Sequence, residues 1–144
     1  MKILVLLLLL SFMSDCERRT EVRVEGGNPP RFVLKGSGRL VEVKIFAPEQ
    51  EHIAQSDPFD DRYELWKIEA EKSVETDKKP IEELAAITYG LVPKGYTQTK
   101  PEHGQPPPLE PGKRYSYWFV TENAPWGAGY FEIRAGKAVT VSGP

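Results

Sequence analysis

Cysteine and histidine are scarce in this sequence, and that scarcity limits the chemistry that the chain can support. The 144 residues include one cysteine and two histidines. A protein metal site usually takes three or four ligands, and neither histidine stands in an H-x-x-H or H-E-x-x-H spacing. The formal net charge of −2 also lacks the positive excess that is typical of nucleic-acid-binding domains. The sequence therefore predicts no metal, no cofactor and no nucleic acid partner.

Catalytic motifs are missing as well. His52 and His103 each follow a glutamate in a polar connector, a pattern that is typical of a solvated surface. The turn at 36–38 lacks the G-x-S-x-G spacing of a nucleophile elbow, and the glycines at 127–129 are not followed by the helical pattern of a phosphate-binding loop. Because catalysis needs a nucleophile, a base or a metal held in place, the sequence predicts a protein that is not an enzyme.

Long helical periodicity is absent, and apolar residues alternate with polar ones instead. Within 39–46, for example, Val41, Val43 and Ile45 share one face. Glycine and proline turns separate many short segments of this kind, and proline reaches 13 residues. The other extended segments are 20–25, 31–35, 63–70, 86–92, 96–99, 114–121, 129–134 and 138–142. This pattern predicts one all-β domain over residues 20–144, folded as a β-sandwich.

The longest apolar run lies at the N-terminus. Lys2 precedes eleven uncharged residues from Ile3 to Met13, a pattern typical of a secretory signal peptide. As a helix this run would span about 17 Å at ~1.5 Å per residue, well short of the ~30 Å hydrocarbon core of a bilayer. The sequence therefore predicts an export signal and not a transmembrane helix.

Cys16 stands directly after this run and has no second cysteine with which to form a disulfide. The segment Met13-Ser14-Asp15-Cys16 resembles the lipobox of bacterial lipoproteins. The resemblance implies that Cys16 carries a diacylglycerol, becomes the mature N-terminus and anchors the protein to the outer membrane or the cell surface. It divides the chain into a signal peptide (1–15), a short linker (16–19) and the domain. The alternative is cleavage at Ser14-Asp15-Cys16 by ordinary signal peptidase, which would release a soluble chain.

A segment in the second half of the domain narrows the predicted fold. From Leu109 onward it resembles the start of strand F in immunoglobulin-like and fibronectin type III domains. There, a leucine and a proline precede a tyrosine whose hydroxyl bonds back to the loop, the places taken here by Leu109, Pro111 and Tyr115. Trp66 corresponds to the buried tryptophan of such sandwiches. The resemblance implies an immunoglobulin-like or fibronectin type III-like β-sandwich without the cysteine pair.

The stretch from Tyr89 to Pro111 departs from a standard module of that kind. It resembles a segment of uncharacterised bacterial secreted and lipoprotein domains, which implies export and no known activity. Five prolines between 101 and 111 favour a polyproline II conformation. Such a loop is either a stiff connector that crosses between the two sheets or a segment that docks into an aromatic groove.

Strand alternation also predicts an exposed aromatic face. If Tyr117 and Phe119 point into the core, Trp118 points outward, and the same argument applies to the neighbouring strands of a fibronectin-like sheet. The outward set is Tyr63, Leu65, Lys67, Trp118, Tyr130 and Arg134, with Trp126 in a loop. Aromatic and arginine side chains are enriched in protein interfaces, and sugars also stack on aromatic rings. The alternative is that cross-strand aromatic pairs only stabilise the sheet.

These patterns together predict a non-enzymatic, lipid-anchored protein of the cell envelope. It would act as a protein-interaction, adhesion or scaffold module, held to the membrane by Cys16, with a protein or a glycan bound on the sheet face. Two alternatives remain open. One is a carbohydrate-binding module that uses Trp118, Tyr130 and Trp126, and the other is a small periplasmic enzyme or inhibitor.

Overall fold

Extended segments bounded by turns make up most of the chain. The structure is a computed structural model that describes residues 19–48, 51–52, 57–71 and 79–143. Its strands there are β1 (Glu21–Gly26), β2 (Pro30–Lys35), β3 (Arg39–Phe46), β4 (Glu64–Ala70), β5 (Ala86–Thr88), β6 (Tyr96–Lys100), β7 (Arg114–Glu122), β8 (Gly127–Arg134) and β9 (Lys137–Val141). A 3₁₀ turn (Asp61–Tyr63) and a one-turn helix α1 (Ile81–Leu84) accompany them. The predicted signal peptide and Cys16 lie outside the described residues.

The strands form two antiparallel sheets. The smaller sheet has the spatial order β1-β2-β5, and the larger has the order β6-β4-β3-β7-β8-β9. Every pairing between neighbours in these sheets is antiparallel. The all-β prediction is therefore confirmed. Neither helical element of the described residues has the length and apolar character needed to cross a bilayer.

Aromatic side chains dominate the core between the two sheets. Phe32 of the smaller sheet is fully buried, and its ring centroid lies 5.6 Å from that of Tyr117, 5.4 Å from Phe119 and 5.5 Å from Phe131. Edge-to-face pairs of this kind add about 0.5–1.5 kcal/mol to the stability that comes from burial. Since Tyr117 and Phe119 point inward, Trp118 lies on the outer face of the larger sheet.

The start of β4 departs from the predicted alternation. That alternation puts Tyr63 and Leu65 in one strand with their side chains pointing away from the core. Tyr63 instead belongs to the 3₁₀ turn that precedes β4, and Leu65 is half-buried against the core. The register between β3 and β4 shifts between Ile45 and Phe46. An extra residue at such a bulge interrupts the alternation and redirects the side chains beside it. Both predicted placements are therefore wrong.

Strand β1 runs between the two ends of the sandwich. Before its start, the backbone N–H of Thr20 donates to the carbonyl of Pro125 in the β7–β8 loop at 3.1 Å. Beyond its end, the amide of Asn28 donates to the carbonyl of Leu109 at 2.8 Å. We call these the Thr20 end and the Asn28 end. The proline-rich loop 101–113 lies at the Asn28 end and joins β6 to β7, two strands of one sheet, so the predicted crossing between sheets is wrong.

Candidate functional site

The outer face of the larger sheet is partly covered by residues 57–63, which we call the covering segment. The ring of Phe59 lies against three outward-facing aromatic residues. Its centroid is 5.7 Å from that of Phe46, 5.6 Å from Trp118 and 6.0 Å from Tyr130. Trp118 and Tyr130 are consequently half-buried, although both lie on the face that the alternation predicts.

Local hydrogen bonds fold the covering segment. The carboxylate of Asp60 accepts from the backbone N–H of Arg62 at 2.9 Å and from its guanidinium at 2.6 Å. Aspartate is favourable before a helical turn because its oxygens satisfy N–H groups that the turn leaves free. The hydrogen bonds from Arg62 lower the pKa of Asp60 to about 2. The hydroxyl of Ser116 donates to the carbonyl of Pro58 at 2.8 Å and ties the segment to β7.

Next to the aromatic residues, the outer face of β3 and β4 carries ion pairs around Lys44. The Lys44 ammonium lies 2.8 Å from Asp61, 3.0 Å from Glu64 and 3.4 Å from Glu42. The side chain of Lys44 is 11% exposed and that of Glu64 only 3%. Burial alone would lower the pKa of Lys44, but the hydrogen bond to Asp61 and the ion pairs with Glu64 and Glu42 outweigh it and raise that pKa. Lys44 therefore stays charged and joins the covering segment to the sheet.

Two further lysines extend this ionic network to the neighbouring strands. Lys67 lies 3.1 Å from Glu42 and also pairs with Glu69. Lys100 of β6 lies 3.2 Å from the second oxygen of Glu64. Lys67 is a predicted binding residue, and a ligand that used its charge would have to displace two carboxylates.

Two buried polar atoms have no hydrogen-bond partner within the described part of the chain. They are Oε1 of Glu64 and Nε1 of Trp118. The Glu64 oxygen has its ion pair with Lys44, whereas Trp118 is surrounded by rings, with the Trp126 centroid at 4.7 Å and Phe59 on another side. A buried donor without an acceptor costs about 1–3 kcal/mol. The aromatic half of the face is thus held by ring packing, and the other half by charge.

Trp126 and Arg134 are the exposed members of the predicted set. Trp126 is 53% exposed and contacts Trp118 edge-on. The guanidinium of Arg134 donates to Glu132 at 2.8 Å, and this hydrogen bond, aided by Arg114, lowers the pKa of Glu132. An exposed pair of this kind can exchange one partner for another at small cost, because exposed ion pairs contribute at most about 1 kcal/mol.

The structure therefore gathers only part of the predicted set. Trp118, Tyr130 and Trp126 belong to one cluster of rings together with Phe59. Tyr63 instead stacks on His52, with ring centroids 3.9 Å apart. Sequence reasoning missed the role of Phe59, for which the available signal is a large apolar side chain within an otherwise polar turn.

Two apolar side chains that follow β5, those of Leu91 and Val92, are exposed. The strand predicted over 86–92 would have placed both of them in a sheet. Leu91 is 64% exposed and Val92 41% exposed. Strand β5 ends at Thr88, and Gly90 has a φ of +80°. Glycine adopts this conformation without the steric cost that other residues meet. The chain therefore turns away from the sheet, and Leu91 and Val92 leave it.

The proline-rich loop next to this turn is held by side-chain hydrogen bonds. The hydroxyl of Tyr89 donates to the carbonyl of Pro107 at 2.8 Å, and the amide of Gln98 donates to two further carbonyls of the loop. The hydroxyl of Tyr115 accepts from the backbone N–H of Glu110 at 2.7 Å. That bond is of the kind implied by the resemblance to the start of strand F. The Asn28 end is consequently a preformed surface.

An open cleft of about 310 Å³ lies between the proline-rich loop and the β1–β2 turn. Its lining consists of amide, phenol, proline and glycine residues: Asn28, Pro29, Tyr89, Gly90, Gln105, Pro106 and Pro108. Burial, with a smaller contribution from Tyr115, raises the pKa of Tyr89, so its phenol keeps its proton. The cleft offers hydrogen-bonding and apolar contacts, and no side chain of its lining carries a charge.

The acidic side chains described above are distributed among lysine and arginine partners. Over the described ranges, no three or more histidine, cysteine, aspartate or glutamate side chains are grouped so that they could hold a metal ion.

In comparisons with protein-family models, curated proteins and solved structures, no match to this chain is found.

Proposed function

We propose that this protein is a non-enzymatic domain of a bacterial cell envelope, anchored by a lipid on Cys16, and that it binds a protein partner at its Asn28 end. The observation that carries the binding proposal is the exposure of Leu91 and Val92 beside the hydrogen-bonded proline-rich loop. Contiguous exposed apolar surface marks interaction sites, and Leu91 and Val92 are two of the three large apolar side chains that are exposed among the described residues. A loop that is already fixed also loses little conformational entropy when a partner binds.

The position of the proposed anchor supports the Asn28 end as the binding end. Cys16 precedes Thr20 by four residues, so the anchor belongs to the Thr20 end. Strand β1 has six residues, which corresponds to about 20 Å at ~3.3 Å per residue. The anchor would therefore be attached about 20 Å from the Asn28 end and would leave that end open to a partner.

We further infer that the sandwich is of the immunoglobulin-like or fibronectin type III kind. The order β1-β2-β5 in one sheet and the adjacency of β3, β7 and β8 in the other support this inference. The bond between Tyr115 and Glu110 supports it as well. Strands β6 and β9 would be additions at the two edges. Trp66 is fully buried, as expected for the tryptophan of such sandwiches. Its strand β4 is not the neighbour of β7, however, because β3 lies between them, so the strand of Trp66 does not have the position that the resemblance implies.

Site-specific photo-crosslinking in intact cells tests the binding end. A benzophenone amino acid is placed at Leu91 of the full chain and, as the matched exposed control, at Glu82 of α1. We expect a discrete adduct from position 91, none from position 82, and loss of the adduct on Val92→Asp, because a charge placed in an apolar contact must be desolvated. The same adducts from both positions, or none from position 91, would contradict the proposal.

Mass spectrometry of the mature N-terminus tests the anchor. We expect a diacylglycerol on Cys16, and we expect Cys16→Ala to move the protein from the membrane fraction to the soluble fraction. An unmodified chain that begins at Glu17 would refute the anchor and leave the binding end untouched.

The carbohydrate-binding alternative depends on the exposed ring of Trp126. A glycan array with the full chain and with Trp126→Ala separates it from the main proposal. Glycan binding that disappears in the variant would support this second function.

A further inference from the structure

The start of the described chain is fixed beside the β7–β8 loop. Besides its backbone bond to Pro125, Thr20 has its hydroxyl oxygen 3.0 Å from that of Thr121. A Cβ on Gly127 would lie 3.0 Å from the carbonyl oxygen of Thr20, so the glycine allows the two backbones to approach closely. Thr20 itself is buried. The chain therefore leaves the sandwich at a fixed place, next to Trp126.

The short linker keeps the proposed lipid close to that place. Cys16 is four Cα steps from Thr20, and an extended chain advances at most ~3.6 Å per residue, which gives about 14 Å. A diacylglycerol on Cys16 has its acyl chains in the bilayer, so the bilayer surface lies within roughly this distance of Thr20. Trp126 directly follows Pro125, the hydrogen-bond partner of Thr20, and is therefore brought to the membrane.

The side chains around Thr20 have the chemistry of a membrane interface. Trp126 is an exposed ring, and the neighbouring Pro125 is exposed as well. Arg19 and Lys35, both exposed, line one concave patch beside Thr20 together with the single carboxylate Glu21. Tryptophan is enriched at the headgroup level of membranes because its ring is amphipathic, and arginine and lysine are attracted to anionic headgroups.

We propose that Trp126 inserts into the interfacial layer of the membrane that holds Cys16, with Arg19 and Lys35 facing the lipid headgroups. This inference rests on the proposed lipid anchor. A lipid on a short linker limits the distance between the domain and the bilayer but leaves the domain free to rotate. The second contact through Trp126 sets the orientation and turns the Asn28 end away from the membrane.

A sugar or a second protein could also use an exposed indole ring. Lipid is favoured here because the short linker holds a bilayer within reach of Trp126, whereas no feature of the described residues brings a sugar or a second protein to that ring.

Fluorescence of the full chain in lipid vesicles tests the insertion. The lipidated protein is incorporated into phosphatidylethanolamine–phosphatidylglycerol vesicles whose acyl chains are brominated close to the headgroup. The chain has three tryptophans, of which Trp66 is fully buried and Trp118 is half-buried. We expect brominated lipid to quench the wild-type emission and Trp126→Phe to lose most of that quenching. Leu91→Ala, which changes an exposed apolar residue at the other end, should keep it.

Trp126→Phe retains a ring against Trp118, and an unchanged near-ultraviolet circular dichroism spectrum would show that the variant is folded. Aqueous iodide gives the complementary measurement, since an inserted Trp126 is shielded from it in vesicles and open to it in Cys16→Ala. A lipidated chain whose Trp126 stays open to iodide and unquenched by brominated lipid would overturn this inference alone. If Trp126 became shielded from iodide only after a glycan or an envelope protein was added, the membrane insertion would be overturned in favour of that ligand. A chain without lipid on Cys16 would overturn both the anchor and the insertion.

Discussion

The two halves of the outer face of the larger sheet are covered by the same segment but are held by different forces. On the side of β3 and β4, Lys44 joins Asp61 of the covering segment to Glu64 and Glu42. On the side of β7 and β8, Phe59 of the same segment packs on rings and forms no ion pair. An ion pair weakens when one partner titrates or when salt screens it, whereas packed rings carry no charge to titrate or screen. One segment thus has one attachment that can be titrated and one that cannot.

Loss of Lys44 should have the largest effect on this comparison. Lys44→Ala leaves the buried carboxylate of Glu64 without its nearest positive charge, and removing one partner of a buried pair costs about 3 kcal/mol or more. Urea unfolding of the purified chain measures this change in free energy. Lys100→Ala is the matched control, because Lys100 contacts the same Glu64 from an exposed position and should cost less than about 1 kcal/mol. An equal loss of unfolding free energy in the two variants would mean that the buried Lys44 stabilises Glu64 no more than the exposed Lys100 does.

Removal of the Phe59 ring should have the next largest effect and should act on the other half. Phe59 is half-buried, so we expect Phe59→Ala to cost about 2 kcal/mol, somewhat less than the ~3–5 kcal/mol of a fully buried phenylalanine. It should also open Trp118 to iodide, read as fluorescence quenching in a Trp126→Phe background. If Trp118 remained shielded in this variant, another part of the chain would have to cover it.

Acid should loosen the covering segment with a smaller effect. The folded pKa of Asp60 is about 2, below its ordinary 3.8, so the charged carboxylate favours the folded turn. That contribution is complete above the ordinary pKa and is lost as the pH falls from about 4 to 2. Iodide access to Trp118 should rise over this interval, and it should rise less in Asp60→Asn, where the charge is already gone. A rise of the same size in both chains would assign the acid response to other carboxylates.

Trp126→Ala should have the smallest effect on stability. Its exposed ring contributes one edge contact with Trp118, worth about 0.5–1 kcal/mol. Trp118→Ala should cost clearly more, because Trp118 is half-buried between Phe59 and Trp126. Thermal unfolding of the two variants under one condition makes the comparison, and a larger loss at Trp126 would contradict the assignment of the two rings.

The strands of the core could be predicted because burial on one face imposes a period of two. In β7, alternation correctly separates Tyr117 and Phe119 from Trp118. Alternation fails at the start of β4, because Ile45 pairs with Trp66 and Phe46 pairs with Glu64, which leaves Leu65 as an extra residue that no periodic pattern records. The sequence pattern also predicts a strand over 86–92, whereas β5 ends at Thr88. The prediction is too long because the apolar residues Leu91 and Val92 continue the pattern beyond the turn at Gly90.

The candidate site was less predictable than the strands. Alternation gives the direction in which Trp118 points but not what lies above it, and Phe59 comes from a segment with no periodic pattern. Two partners of Lys44, Asp61 and Glu64, likewise come from a separate stretch of sequence, and only Glu42 belongs to the same strand. Contacts of this kind are set by tertiary packing, which local sequence patterns do not encode.

The direction of β1 has a mechanical consequence. A tether at Cys16 pulled against a partner held at the Asn28 end would stretch the domain along this strand. The six residue pairs of β1 with β2, from Glu21 opposite Lys35 to Gly26 opposite Pro30, would then bear the load together in shear. Strands that are sheared must lose many backbone bonds at once, whereas strands that are peeled lose them singly. If the proposed anchor and partner are present, the pairing of β1 with β2 would resist the tension between them.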